Sequence, residues 1–467
     1  LRGQKMSTID EVKAKVEKLA VNKKSVPAEI INLQEKKFAL SGEEAALAHF
    51  KNYCVVADGG KTNVCWKTID PELGTTIIKQ LSPTAFKELH AHETVSTSKG
   101  KMQVAPLWLK ATDRPTYPQG FAMLPGKNPP KGVYNLWTGF GCEVEASSTL
   151  MQARTALWHL KYVICNGDQA NYRYFLGWLA HAVQHPDKQA EVAIAMLGGR
   201  GTGKGTLGRW FINIFGNHGT HIQNSEHLTG RFNSHLKSTV ALFVDEAFFV
   251  GDRAGYNILK GLITEDRIMI EPKNVNAYPA KNYLKIIMAT NETHAIPAGI
   301  DERRYFIIQV SDRVKQDHKY FTKLNKWWDK GGKNDFFTLL KRINLSQFNI
   351  REVPKTMALE QQKLESLTGL DSWLYELLQD EGRWKIKWSA GDAANDFRIY
   401  CDQKGGKYKY ENTSNRAVGK GLRKWLVVER RRTFDSRGRY WELILPELNK
   451  AREQFSEKLD VRIDWDV

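Results

Sequence analysis

The chain has 467 residues, enough for roughly two to four domains that each bury a core of their own. Apolar residues at 42% and charged residues at 26% exclude a mostly disordered, collagen-like or coiled-coil chain, and no apolar run nears the roughly 20 residues that span a bilayer, so a soluble cytoplasmic protein with no membrane partner is expected. Lys and Arg number 69 against 52 Asp and Glu, a net charge of +17 that points either to a polyanionic partner or to a merely basic surface. Cys54, Cys65, Cys142, Cys165 and Cys401 are scattered, with no CxxC and no Cys/His grouping at zinc spacing, which favours core thiols over disulfides or a metal site.

In chain order, residues 1–50 alternate Lys and Glu with apolar Ile9, Val12, Val16 and Leu19, the spacing of an amphipathic helical leader and linker. The chain opens on Leu1, which reads as a fragment of a longer protein or an added scar, with Met6 as an alternative start. Residues 51–148 hold short apolar stretches (YCVVA, VCW) between turns rich in Gly, Pro and Asn, a small strand-rich domain. Residues 149–190 carry two helical patterns, Thr149 to Cys165 and Tyr172 to Gln184, and the aromatic stripe of the second is read as core. Between 191 and 350, VAIAML, VALFVD and YLKIIMATN are near-continuous apolar strands separated by helical segments, the pattern of an α/β fold with a parallel sheet covered on both faces. Residues 366–447 read as three helices followed by a β-hairpin, and 448–467 as a C-terminal helix or tail.

Directly after the first of those strands stand Gly198, Gly199, Arg200, Gly201, Thr202, Gly203, Lys204, Gly205 and Thr206, followed by a helical LGRWFINIF. Glycines let backbone N–H groups turn toward phosphate oxygens, the helix offers its positive N-terminus, and Lys204 supplies a charge for the β- and γ-phosphates of ATP. The usual Ser or Thr after the lysine is Gly205 here, so the hydroxyl for Mg2+ comes from Thr206 one place later, or a water replaces it. Nucleoside-monophosphate kinases share the GKGT ending, and the loop alone leaves the reaction open.

Forty-one residues after Lys204, the strand VALFV runs into Asp245 and Glu246. Two adjacent carboxylates at the end of a buried strand would face the phosphates, Asp245 holding hydrated Mg2+ and Glu246 polarising an attacking water, a second acid that a kinase does not need. The strand KIIMAT ends at Asn291, a neutral amide able to orient that water. Twelve residues on, Arg303 and Arg304 lead into the strand FIIQV; either guanidinium, delivered from a neighbouring subunit, would stabilise charge on the transferred phosphoryl group.

The series GGRGTGKGT, ALFVDEA, IIMATNE and DERRYF, across residues 198–304, resembles the superfamily 3 helicases of viruses, phages and mobile elements, particularly the helicase part of phage-type primase-helicases. HLTGRFNSHL, YNLWTGF and YFLGWLAHAVQHPDK extend the likeness over roughly residues 53–310. The resemblance implies a P-loop, AAA+-like ATPase core behind a helical collar-like segment, and an ATP- and Mg2+-dependent ring, usually a hexamer. Such a ring moves 3′ to 5′ on single-stranded and forked DNA in a bacterial host cytoplasm, commonly with a primase-polymerase domain upstream. By position, Lys204 takes the phosphate role, Asp245 the metal role, Glu246 the base role, Asn291 the sensor role, and Arg303 or Arg304 the finger role. A pore hairpin is implied between residues 268 and 283, where Lys273 and Lys281 would touch DNA phosphates and Tyr278 would stack on a base.

Within residues 381–440, 16 Lys and Arg stand against 7 Asp and Glu, so nine of the seventeen net positive charges fall in 60 residues. Arg416, Lys420 and Lys424 recur at i, i+4 and i+8 on the third helix with Arg423 beside them, and Arg437 lies at the hairpin tip. Helices followed by such a hairpin resemble a winged helix, whose third helix enters the major groove while the wing follows the backbone. The favoured reading is an ATP-dependent DNA helicase. Two others stay open: a P-loop nucleotide or small-molecule kinase, and a non-catalytic ATP-binding DNA scaffold.

Overall fold

The computed structural model describes residues 42–465, apart from residues 73, 98–99, 224–225, 247–252, 274–275, 293–301, 406–407, 409 and 437. The expected leader helix before residue 42, and Arg437, lie outside the described residues.

The chain divides into two compact units, one built from residues up to Ile69 with Ile77–Ala122 and Pro130–Tyr134, the other from Asp70–Thr76, Met123–Pro129 and Asn135–Val467. In the first, Tyr53–Asp58 pairs antiparallel with Lys61–Ile69. Its core is aromatic, with the Phe86 ring 4.9 Å from Phe50 and 5.4 Å from Trp108. The strand-rich expectation overlooks two short helices here, Pro83–Leu89 and Val104–Lys110. Neither is long enough to show a 3.6-residue period, although Ser82, whose side chain accepts from Ala85 N, and Pro83 at the first turn are a legible start signal. All five cysteines are buried free thiols.

In the second unit α1 (Leu150–Trp158) runs into a π-helical turn at His159–Ile164, followed by α2 (Gln169–Gln184), β1 (Ala193–Leu197), α3 (Lys204–Ile214), β2 (Gly219–Ile222), β3 (Ala241–Val244) and α4 (Arg253–Thr264). A hairpin of β4 (Arg267–Ile270) and β5 (Tyr278–Lys281) precedes β6 (Lys285–Thr290), β7 (Tyr305–Gln309), α5 (His318–Trp327) and α6 (Lys333–Arg342). Five strands form one parallel sheet in the order β2, β3, β6, β1, β7. Successive side chains point to opposite faces, so Ile194, Met196, Phe243, Ile287 and Phe306 enter one apolar core while Ala195, Leu242, Ile286, Met288 and Ile307 enter another. Burial on both faces is why β1 and β3 are continuously apolar and β6 nearly so. In register, β1 and β6 end level at Leu197 and Thr290 and β3 two residues earlier at Val244, and the chain leaves all three at one edge, where open parallel sheets bind ligands.

The C-terminal part comprises α7 (Met357–Glu365), α8 (Gly369–Gln379), β8 (Lys387–Ser389), α9 (Ala390–Gln403), α10 (Asn415–Trp425), β9 (Glu429–Asp435), β10 (Gly438–Ile444) and α11 (Leu448–Leu459). Helices α8, α9 and α10 precede the β9–β10 hairpin, and the short β8 pairs with β10. Trp373, Phe397, Leu422, Trp425 and Leu443 fill its core. Among the described residues, no helix is long and apolar enough to cross a membrane.

Candidate nucleotide site and nucleic-acid surfaces

The glycine-rich loop leaves β1 and enters α3 at Lys204. Gly203 adopts φ 104°, and a Cβ there would lie 2.6 Å from His159 Cε1, so both backbone and packing require glycine. On α3, a Cβ at Gly208 would meet the Phe243 ring at 2.2 Å, so only glycine lets this helix approach the sheet. The Lys204 ammonium donates to Gly198 O at 2.6 Å, to Gly199 O at 2.7 Å and to Asn291 Oδ1 at 3.2 Å. Burial pushes its pKa down, with Asp245 and Asp312 opposing the shift. A cavity of about 520 Å³ opens above it, lined by Arg200 to Thr206 together with Asp245, Glu246 and Asn291.

Each acid comes from the end of β3. Asp245 N donates to Ile222 O at 2.8 Å, which continues the sheet pairing past the strand, and its carboxylate stands 3.7 Å from His221 Nε2. Glu246 follows at φ 59°, a left-handed conformation that non-glycine residues rarely take and that recurs at functional sites. Thr206 is buried at the start of α3 on the same cavity.

His159 was not among the sequence candidates. It is fully buried beneath the loop, with Nε2 3.4 Å from Gly203 O and Nδ1 2.9 Å from the Tyr320 hydroxyl. A carbonyl can only accept, so Nε2 carries the proton and Nδ1 accepts from Tyr320. Burial lowers its pKa to about 4, which keeps the ring neutral at pH 7. The unfolded chain therefore takes up a proton as pH falls through about 6.5 while the native state does not, and this site withdraws stability as pH drops toward 4. The π-helical turn sets the ring there, and such turns recur at functional sites. His159→Leu is expected to weaken ATP binding about fivefold or more by releasing Gly203 and stranding the Tyr320 hydroxyl, with His159→Gln retaining part of the affinity. Titration of both variants with a fluorescent ATP analogue checks this.

Arg303 and Arg304 are not brought to this cavity in the same chain. Arg304 O accepts from Ala193 N at 2.8 Å, at the start of β1, whereas the loop leaves its far end, about 13 Å away at 3.3 Å per residue. Arg304 is half-buried, its Nη1 3.4 Å from Oε1 of the buried Glu302, whose Oε2 accepts from the Tyr256 hydroxyl at 3.0 Å. Arg303 is exposed.

The β4–β5 hairpin occupies the interval expected for a DNA-contacting element. Lys273 is exposed in its connection, and Lys281, at the base, lies 4.0 Å from Asp266. The ring of Tyr278 is half-buried and packs against the sheet core, with Lys237 Nζ 5.1 Å from its centroid. The exposed apolar side chains here are instead Met269 at 55% and Phe232 at 58%. Asn233 Nδ2 donates to Met269 O, and Arg231 pairs with Glu271 at 2.6 Å, so HLTGRFNSHL braces the hairpin.

On α10, Arg416, Lys420 and Arg423 are exposed. Lys424 departs from the expected cationic face: its ammonium is 2.6 Å from Asp371 of α8, which also accepts from Trp425 Nε1. A groove of about 780 Å³ between α10 and the hairpin is lined by Arg416, Arg423, Arg430 and Arg439, with the Arg430 guanidinium 3.8 Å from the Trp441 ring centroid. Arg430, Arg439 and Trp441 escaped the sequence reading because only the pairing of β9 with β10 sets them opposite the helix.

A sequence family described as a family of unknown function (DUF5906) matches residues 196–304. The DNA primase-polymerase of Nitratiruptor phage NrS-1 is 26% identical over 164 residues, 34% of this chain and 22% of that protein, so the match takes in less than a quarter of the phage protein's length. The solved apo structure of the NrS-1 C-terminal region has a TM-score of 0.60 at 18% identity, covering 86% of this chain and 98% of that one. The A form apo structure of the same region gives 0.60 at 17% identity. The chain is related to the C-terminal region of a phage primase-polymerase and shares its α/β fold.

Proposed function

We propose, starting from that kinship, that the chain is the ATP-hydrolysing motor of a phage or mobile-element replication protein, a superfamily 3 type DNA helicase with an AAA+-like core that works as a hexameric ring on single-stranded and forked DNA. The observation that carries this reading is the meeting of Lys204 and Asn291, 87 residues apart, at 3.2 Å in one cavity with Asp245 and Glu246. Thr206 and Asp245 offer a hydroxyl and a carboxylate, hard oxygen donors that suit Mg2+ with its remaining positions left to water and phosphate. That ion would neutralise charge on the β- and γ-phosphate oxygens. Lys204 exchanges its loop carbonyls for phosphate oxygens, Asn291 holds the attacking water without adding charge, and Glu246 takes its proton. An arginine from the next copy completes the pocket.

The three helices α8 to α10 with their hairpin are read as a winged helix whose arginine groove holds the DNA backbone. Arg416→Ala and Arg423→Ala are each expected to weaken DNA binding equally for all sequences and to reduce the slope of log affinity against log salt by about 1. Fluorescence anisotropy at several salt concentrations checks it. The motor reading itself is tested by imaging the particles with a non-hydrolysable ATP analogue: closed rings are expected, and single chains that hydrolyse ATP at full rate would contradict it.

A further inference from the structure

The nucleotide cavity extends past the groups that handle phosphate. Its lining is completed by Arg209 of α3 and by Phe321 and Asn325 of α5. Phe321 and Asn325 stand four residues apart, hence on one helix face. Neither has a part in cleaving the triphosphate. The other face of α5 is committed elsewhere, with Leu324 buried and Tyr320 bonded to His159.

We propose that Phe321 and Asn325 form the base pocket of the nucleotide site and make it select adenine; the inference rests on the reading of the loop as a triphosphate site. The pocket is fixed relative to the phosphates. Gln316 N donates to Gly201 O at 3.0 Å just before α5, and the Tyr320 to His159 to Gly203 chain ties the helix to the loop a second time. Phe321 Cε1 lies 3.3 Å from the point where a Cβ on Gly203 would stand, so a half-buried aromatic ring borders the phosphate loop. Asn325 is exposed on the cavity, and its amide has no protein partner among the described residues. The chemistry of the pair matches one base. An aromatic ring offers a stacking face to any base, worth about fivefold or more in affinity. A carboxamide accepts from the adenine 6-amino group and donates to the neighbouring N7, whereas guanine presents two acceptors along that edge. The cavity, at about 520 Å³, lies in the size range of nucleotide-sized ligand sites.

The test is displacement of a fluorescent ATP analogue from the full chain by ATP, GTP, 7-deaza-ATP and tripolyphosphate. Wild type is expected to bind ATP about tenfold more tightly than GTP or 7-deaza-ATP. Asn325→Ala, an exposed change that spares the core, should bring the three nucleotides together while leaving tripolyphosphate affinity unaltered. Phe321→Leu, which keeps apolar bulk beside Tyr320 but removes the ring, should weaken all three nucleotides about fivefold and again spare tripolyphosphate. Equal binding of ATP and GTP by wild type, or an unchanged preference in Asn325→Ala, overturns the base pocket. Failure of the phosphate-site reading looks different: Lys204→Ala would then bind ATP and tripolyphosphate as wild type does.

Discussion

Lys204→Ala is expected to lower ATP affinity about a hundredfold, and Glu246→Gln to keep ATP bound while its turnover falls about 10²- to 10⁴-fold. The two variants separate binding from chemistry. Among the described residues lining the cavity Lys204 is the one that carries an ammonium, and on the proposed reading its loss removes charge-assisted contacts to the β- and γ-phosphates. Glu246→Gln preserves shape and hydrogen-bonding reach but cannot take the proton of the attacking water. Thermal unfolding belongs beside the Lys204 variant, because Gly198 O, Gly199 O and Asn291 lose a donor together with the ligand. Hydrolysis near the wild-type rate in Glu246→Gln would remove Glu246 from the mechanism.

Arg303→Ala is expected to reduce turnover about 10³- to 10⁵-fold without removing ATP binding, as for other arginines delivered in trans. The two arginines differ in freedom. Arg304 is held by Glu302, whose side chain is 2% exposed, so Arg304→Ala should first cost stability, about 1–3 kcal/mol, by leaving a buried carboxylate short of a donor. Arg303 is exposed, as a finger supplied to another copy would have to be. Because both sit at the opposite end of the sheet from the loop, mixing Arg303→Ala chains with Lys204→Ala chains should restore part of the ATPase activity. In the mixture some pockets pair an intact loop with an intact arginine. Absence of recovery in mixed assemblies shown to contain both chains would argue against a shared pocket.

What could be read from residues alone follows from how local the cause is. The strands β1 and β3 are apolar throughout, and β6 is apolar between Lys285 and Thr290, because both faces are covered, so they stand out without any partner being known. The loop and the Asp245–Glu246 pair sit at the ends of those strands and inherit their legibility. His159 is the contrary case. Its partners Gly203 and Tyr320 lie 44 and 161 residues away, and within its own segment it is one of several polar residues, beside Arg154, Thr155 and Lys161, with nothing local to single it out. Lys424 fits a cationic helix face until Asp371, 53 residues earlier, takes its charge. Tyr278 alternates correctly for an exposed hairpin, yet the hairpin lies on the sheet core and its ring packs inward. Helix and strand period specify which face a residue occupies, not what the fold lays against that face.

The measurement that bears most directly on the central claim is release of phosphate from ATP by the full chain, with and without single-stranded DNA and with no other acceptor present. The account predicts free phosphate from ATP alone, faster release when DNA is added, and neither in Glu246→Gln. ADP that forms only when a phosphoryl acceptor is supplied, or phosphate release indifferent to saturating DNA, would contradict it.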